Sequence, residues 1–385
     1  MYFKVALRNL RREKLYAVLN IAGFALGIAS CLILGLYLWD ELTYDRHHVN
    51  HERIYRVAQR VTAPSGKERY ESSLALTSSA LGPMLGDDFP DVIEQYVRFY
   101  KVVPNQRALL RKDDESEYWS DTYLADDNVF DVFTHQIVYG DPRTALTEPS
   151  TIAISRTVSE RYFGAENPIG RTLLNAVDAP FTVTLVFEDL PENTHLRYDA
   201  LFAFKGIFAV SDDVNARRRM LNSLNTFTYV VLPENYDASA YGALSRQFFE
   251  RHMADARRAN VTWESWLQPL AGTHLRSDLE LDRPTGNALY LYAFAAVGLS
   301  LLLITCINYV NLATARAAKR ARTIGLRKIL GADRAALMVQ LLGESVLFAL
   351  LAAVLGAIAV KVAVSLPAVT AVFGKPLDFD LLGNP

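Results

Sequence analysis

This chain is poor in cysteine, with only Cys31 and Cys306 among 385 residues, and both fall inside apolar stretches. A disulfide framework is therefore excluded, and cysteine usage says nothing about the compartment. Charge of one sign is not in excess either: the formal net charge is −2, which gives no basic footprint for nucleic acid. The chain also lacks a low-complexity linker and a Walker-type phosphate loop. Gly164-Ala-Glu-Asn-Pro-Ile-Gly170 looks like such a loop at first sight, but five residues separate its glycines where the motif needs four followed by Gly-Lys. One of the five is Pro168, which has no N–H to offer a phosphate. A helix end followed by a turn is the better reading of that run.

What the chain does have is long apolar runs. Residues 17–39 contain no charge, which is enough to cross the hydrocarbon core and longer than a signal-peptide core. A second run near 288–312 and a third within 336–366 follow. Lys4, Arg8, Arg11, Arg12 and Lys14 precede the first run, and Asp40, Glu41 and Asp45 follow it. Lys and Arg gather on the cytoplasmic side of spans, so residues 1–16 are expected inside and 40–287 outside. The loop at 313–335 carries Arg316, Lys319, Arg320, Arg322, Arg327, Lys328 and Arg334, and it gives the same orientation independently. The tail, 367–385, then lies outside. The fold class expected is an α+β membrane protein: three transmembrane helices, with a large mixed α/β domain between the first and second.

Within that domain, strands are expected at 54–61, 95–103, 151–155, 182–187 and 227–232, and helices at 78–87, 157–163 and 238–259. Ser155 or Thr157 is placed to cap the second helix and Gly164 to end it. Residues 63–71 read as a hairpin loop. His47, His48 and His51 lie close to Glu52, but no second ligand group at metal spacing accompanies them, so a solvated turn next to the membrane is expected. Ser155, Ser159 and His195 lack the context of a nucleophile elbow. No catalytic residue and no metal ligand is assigned.

Four runs resemble a known family. Near the N-terminus stand Arg8-Asn9-Leu10, then Tyr44-Asp45-Arg46 and Arg53-Ile54-Tyr55-Arg56-Val57. In the middle, Phe130–Leu173 ends in Phe163-Gly164, then Asn167-Pro168-Ile169-Gly170. Val186–Phe204 contains Asp189-Leu190-Pro191-Glu192-Asn193-Thr194-His195. Towards the C-terminus come Ile324-Gly325-Leu326-Arg327-Lys328-Ile329-Leu330-Gly331-Ala332, with Gln340 and Glu344 beyond. Together they resemble the MacB/FtsX-type ABC transporter permeases, over nearly the whole chain. Two departures stand out. Thr323 occupies a position that is commonly acidic in the family, and relatives have at least one more span, so the sequence reads as the first part of a longer permease.

The resemblance implies a bacterial inner-membrane permease subunit that binds no cofactor itself. A separate cytoplasmic ABC ATPase would hold the ATP. A second permease copy or homologous half, and a periplasmic adaptor or substrate protein, are the further partners it implies, and none is a nucleic acid. Residues Ile324–Ala332 are the expected contact with the ATPase. Their apolar members are too many for a solvated basic loop, and an interfacial anchor is the competing reading. Asn308, Asn311, Gln340 and Glu344 are polar groups near span ends, expected chiefly to hydrogen-bond between helices. A signalling protein that controls an envelope hydrolase or senses a peptide is the alternative to a transporter subunit.

Overall fold

The computed structural model describes residues 14–65, 68–101, 108–113, 115–119, 121–205, 217, 220–221, 223–282, 286–329, 334–375 and 377. Within them the chain divides into two compact units, one of Met1–Leu42 with Asn287–Pro385 and one of Thr43–Gly286.

The first unit holds three long helices, α1 (Lys14–Leu42), α8 (Ala288–Ile329) and α9 (Arg334–Val364), and the short α10 (Pro367–Phe373). Each long helix contains a stretch apolar enough to cross a membrane: Val18–Leu42, Ala288–Asn311 and Ser345–Val364. α1 packs against both α8 and α9, and small residues set how close they come. A Cβ on Gly27 would lie 2.2 Å from Thr305 Oγ1, and one on Gly356 would lie 3.1 Å from the Ala25 carbonyl oxygen. Such contacts take the place of the hydrophobic effect, which cannot drive helices together in lipid.

The second unit is built on one large mixed sheet. Its elements in chain order are β1 (Ile54–Ser65), β2 (Glu68–Leu74), β3 (Thr77–Ser78), α2 (Leu81–Asp88), β4 (Gln95–Lys101), β5 (Ala108–Lys112), β6 (Glu115–Trp119), β7 (Thr122–Ala125), α3 (Val129–Val132), β8 (Ile137–Gly140), β9 (Thr151–Ser155), α4 (Arg156–Phe163), β10 (Thr172–Asn175), β11 (Pro180–Phe187), β12 (Ala200–Ala203), β13 (Leu224–Val231), α5 (Tyr241–His252), α6 (Ala254–Arg258), β14 (Thr262–Pro269) and α7 (Leu270–Arg276). The strand order is β14-β1-β13-β4-β7-β12-β9-β11-β10-β5-β6, with β2 on β1, β3 on β13 and β8 on β11. Most pairs are antiparallel; β9 with β11 and β7 with β12 are parallel.

The middle of this sheet is covered on both faces. Along β12, Leu201 and Ala203 enter one core with Phe99, Phe187 and Tyr229, while Ala200 and Phe202 enter another with Ile152, Ile154 and Val183. Alternating side chains of a strand face opposite sides, so a strand buried on both must be apolar throughout. That is why β9 and β13 are visible in the sequence. The four-residue β7 and β12 escape notice because they are short. β5, β6 and β14 mix Arg, Lys and Glu with Trp and Tyr and are not among the expected strands.

The hairpin expected at 63–71 is narrower than read: β1 and β2 pair from Gln59↔Leu74 out to Ser65↔Glu68. The single helix expected at 238–259 is divided. A short 3₁₀ turn at Ala238–Ala240, capped by Asp237, leads into α5, and α6 follows after Met253.

Candidate functional site

The chain crosses between its two units at Leu42–Thr43 and again at Gly286–Asn287, and each crossing is fastened inside the sheet domain by a buried charged cluster. At the first, Asp45 takes a left-handed backbone conformation (φ 60), which Asp tolerates better than most residues. Its backbone N–H donates to the Asn193 carbonyl at 2.9 Å. Its carboxylate accepts from the Thr194 hydroxyl at 2.8 Å, the His195 backbone N–H at 3.0 Å and His195 Nδ1 at 2.8 Å. With the Nδ1 proton directed at Asp45, His195 Nε2 accepts from the Tyr229 hydroxyl at 2.6 Å. Tyr229 stands on β13, paired with Arg56 of β1 on one side and Val97 of β4 on the other. A line of hydrogen bonds thus runs from the third residue beyond α1 into the middle of the sheet.

Asp45, His195 and Tyr229 are 0, 8 and 1% exposed. Burial alone would raise the Asp45 carboxyl; its interactions with the His195 ring and backbone N–H and with the Thr194 hydroxyl outweigh that and hold it below the usual carboxylate range. An acid–imidazole–hydroxyl line has the outline of a catalytic triad. Here the hydroxyl is a phenol sealed in the core, and burial pushes its ionisation further up, away from a nucleophile's needs. The line acts as a strut. Removing one partner of such a buried pair costs about 3–5 kcal/mol, because the others are left without partners.

At the second crossing, Arg56 of β1 is fully buried. Its guanidinium grips Asp282 with two bonds, Nη1 to Oδ1 at 2.6 Å and Nη2 to Oδ2 at 2.8 Å. Gln268 Oε1 accepts from Nε and Nη2, and Ser277 Oγ from Nη2 at 2.9 Å. This forked geometry suits Arg and would be lost with Lys. Asp282 lies just ahead of Gly286, whose N–H donates to the His274 carbonyl at 2.9 Å. The His274 ring stacks on Tyr44, centroids 3.5 Å apart and planes within 2°. Tyr44 immediately precedes Asp45, so the two fastenings touch each other.

The run Asp189–His195 does double duty. Its far end holds Asp45. Its near end meets α4: Asp189 accepts from the Thr157 N–H at 3.1 Å and hydroxyl at 2.7 Å, beside the Ser155 cap, which accepts from the Val158 N–H. A carboxylate there suits the partial positive charge of a helix start.

At the other end of α4 stand Phe163, Gly164, Asn167, Pro168, Ile169 and Gly170. Phe163 is in the core with the Lys112 ammonium 5.0 Å over its ring. Gly164 (φ 62) and Gly170 (φ 81) take conformations that favour glycine. Asn167 Oδ1 accepts from the Ile169 N–H, the Pro168 carbonyl accepts from Arg171, and Gly170 donates to the Val183 carbonyl. The run ends a helix and turns the chain back into β10.

The expectation of a solvated histidine turn is corrected. His48 is 4% exposed. Its Nδ1 accepts from the Thr134 N–H at 3.1 Å and its ring meets the edge of Phe133. Of residues 46–52, His48 alone is buried; Arg46, Val49 and Glu52 stay exposed. Burial pushes His48 down to about 2 and His135 down to about 4, His135 being held between the Phe133 carbonyl and the Tyr198 hydroxyl.

The basic segment is helical over its described residues. α8 continues unbroken through Gly325 to Ile329; a lone glycine costs about 1 kcal/mol in a helix, and the run of Ala, Arg and Lys around it outweighs that. Leu326 and Ile329 are 57 and 86% exposed. Ile324, Gly325, Arg327 and Lys328 lie in the same helix by backbone, while Leu330, Gly331 and Ala332 fall outside the described residues. Asn308 and Asn311 are on α8, Asn308 with its amide 3.4 Å from where a Cβ of Gly23 would stand. Gln340 and Glu344 are in α9; their side chains fall outside the described residues.

Arg56, Asp282, Tyr229 and the Tyr44–His274 stack were not assigned from the sequence. An arginine inside an otherwise buried strand is the signal that would have found the second fastening.

In sequence, a large mixed sheet domain stands between the first and second of three helices apolar enough to cross a membrane. The chain belongs to the family described as MacB-like periplasmic core domain, which matches residues 17–246, and residues 295–380 match the FtsX-like permease C-terminal family. Proteins of this kind are permease components of ABC transporters, generally not catalytic themselves, and work with a cytoplasmic ATPase. Among solved structures the chain is similar to a domain of a protein described as a permease from Porphyromonas gingivalis, at 22% identity and TM-score 0.49, covering 62% of this chain and 95% of that one. It is also similar to the periplasmic region of MacB from Actinobacillus actinomycetemcomitans (12%, TM-score 0.35, covering 54% and 87%). A third likeness is to the extracellular domain of the noncanonical ABC-type transporter YknZ from Gram-positive bacteria (15%, TM-score 0.34, covering 51% and 95%). No curated protein matches the chain.

Proposed function

We propose that this chain is the subunit through which a separate ATPase in the cytoplasm moves a domain on the far side of the inner membrane. The N-terminus is cytoplasmic, the sheet domain is outside, and the chain holds no ATP itself. Movement reaches the domain through α1 and α8, for export or for mechanical control of an envelope partner. The observation that carries this reading is the strut Asp45–His195–Tyr229. The buried line ties the end of the sheet domain that follows α1 to β13, so a pull on that end would reach the middle of the sheet. The Arg56–Asp282 grip serves α8 in the same way.

On the cytoplasmic side, Ile324–Ala332 is the contact with the ATPase. Leu326 and Ile329 are its apolar knobs, with Arg327 and Lys328 beside them in sequence, and a second permease copy or homologous half completes the assembly. The test is co-expression with an ABC ATPase and reconstitution into nanodiscs. Leu326→Asp should abolish the effect of the permease on ATP hydrolysis, while the chain still inserts and its sheet domain stays folded. Hydrolysis that responds to the permease as before would overturn the proposal.

A further inference from the structure

After α9 the chain does not leave the helical unit; it returns to the end of α1. Ser365 and Leu366 close α9, with the Leu366 N–H donating to the Ala363 carbonyl, and Pro367 starts α10 at the position where proline suits a helix best. Gly374 ends α10 in the left-handed conformation (φ 72), and the next residue is Lys375. Lys375 Nζ donates to Glu41 Oε1 at 2.6 Å and pairs with Asp40, the side chains being 13, 7 and 26% exposed. The ammonium also lies 5.3 Å from the centre of the Tyr37 ring. Beside it three rings from three helices meet: Phe373 of α10 is 5.0 Å from Tyr37 of α1 and 5.8 Å from Phe294 of α8, and Tyr37 and Phe294 are 5.1 Å apart, edge to face.

Two adjacent carboxylates at the end of a membrane span repel each other and are costly to withdraw from water. One ammonium between them relieves both. The hold is concentrated: no residue of α10 is buried, and Val372 is 74% exposed. Lys375 and Phe373 fasten the segment. A contact so strong at one point and so slight elsewhere can let go as a unit.

We propose that residues 365–375 form a latch, in which Lys375 bound to Asp40 and Glu41 holds the end of α1 against α8 in the resting state, and whose release sets the range over which α1 moves. Lys375 is a positioning residue for the coupling described above, and the inference rests on that reading.

The full chain with its ATPase in nanodiscs provides the test, with two readouts. Lys375→Glu should speed amide hydrogen exchange across 367–375 about tenfold, from loss of a charge-assisted bond, and should raise ATP hydrolysis in the absence of any transported or envelope partner. Lys375→Arg, and Lys375→Glu combined with Glu41→Lys, should restore both. Unchanged exchange in Lys375→Glu overturns the latch, as does faster exchange with no change in hydrolysis, which would make the contact merely structural. Leu326→Asp in the same preparation separates the two readings: if it leaves hydrolysis untouched the coupling reading fails, while the exchange readout still reports on the Lys375 contact.

Discussion

At the scale of single residues, the chemistry is that of buried polar groups satisfied by partners far away in the sequence. His195 and Asp45 are 150 positions apart, and Arg56 and Asp282 are 226 apart. The histidines beneath them make the domain sensitive to acid. Burial lowers His48 to about 2 and His135 to about 4, whereas the unfolded chain titrates near its ordinary value of about 6.5. The unfolded state therefore binds more protons as pH falls. The stability these groups contribute is fully present above about pH 6.5 and is lost below it, at about 1.4 kcal/mol per pH unit for each. His135 stops contributing to the slope near pH 4, and His48 carries it lower.

Thermal unfolding of the sheet domain in the full chain, followed in detergent from pH 7.5 to 4.5, should show a falling midpoint. His48→Gln, which can still accept the Thr134 N–H, should make the slope shallower, with His135 and the half-buried His47, also lowered by burial, supplying the rest. A level profile in the parent chain would refute this account. The triplet of histidines was readable as a cluster, but the burial of His48 was not. Polar residues beside a span look solvated until the long-range contacts that cover them are known.

At the scale of elements, the sequence was most legible where burial is uniform or periodic. Thr151–Ser155 is a strand as read, and 157–163 lies within α4, capped by Ser155 and ended by Gly164. Short or charged strands such as β6 and β12 were missed, because pairing with neighbours rather than local pattern makes them strands. The spans follow from hydropathy, yet which faces meet does not. Among the described glycines of α1, Gly27 leaves a side chain the least room against α8. A side chain there would press on Thr305, whose hydroxyl already donates to the Leu301 carbonyl at 2.7 Å. Gly27→Val should force the two helices apart and lower the thermal midpoint of the spanning unit by several degrees, with Gly35→Val, where a Cβ meets open space, as the silent control. Equal midpoints for the two variants would show that α1 and α8 do not pack there.

At the scale of the whole molecule, the reading depends on which side of the membrane each unit occupies. Val177, at the turn between β10 and β11, is 79% exposed and Ile329, at the end of α8, is 86% exposed. With Cys31 and Cys306 replaced by serine, Val177→Cys should react with an impermeant maleimide in intact spheroplasts. Ile329→Cys should react only after permeabilisation. The opposite pattern would invert the topology and remove the ATPase contact from α8.

By itself the sequence determined three apolar helices, a mixed domain between the first two, and a basic segment after the second. These follow from local composition and periodicity, which act through the nearest few residues. The tertiary structure alone decided which buried charges meet inside each unit. Asp45 takes its meaning from His195 and Tyr229, Arg56 from Asp282, and Lys375 from Asp40 and Glu41. A buried charge must find its partner wherever the fold brings one, and no local pattern records that distance.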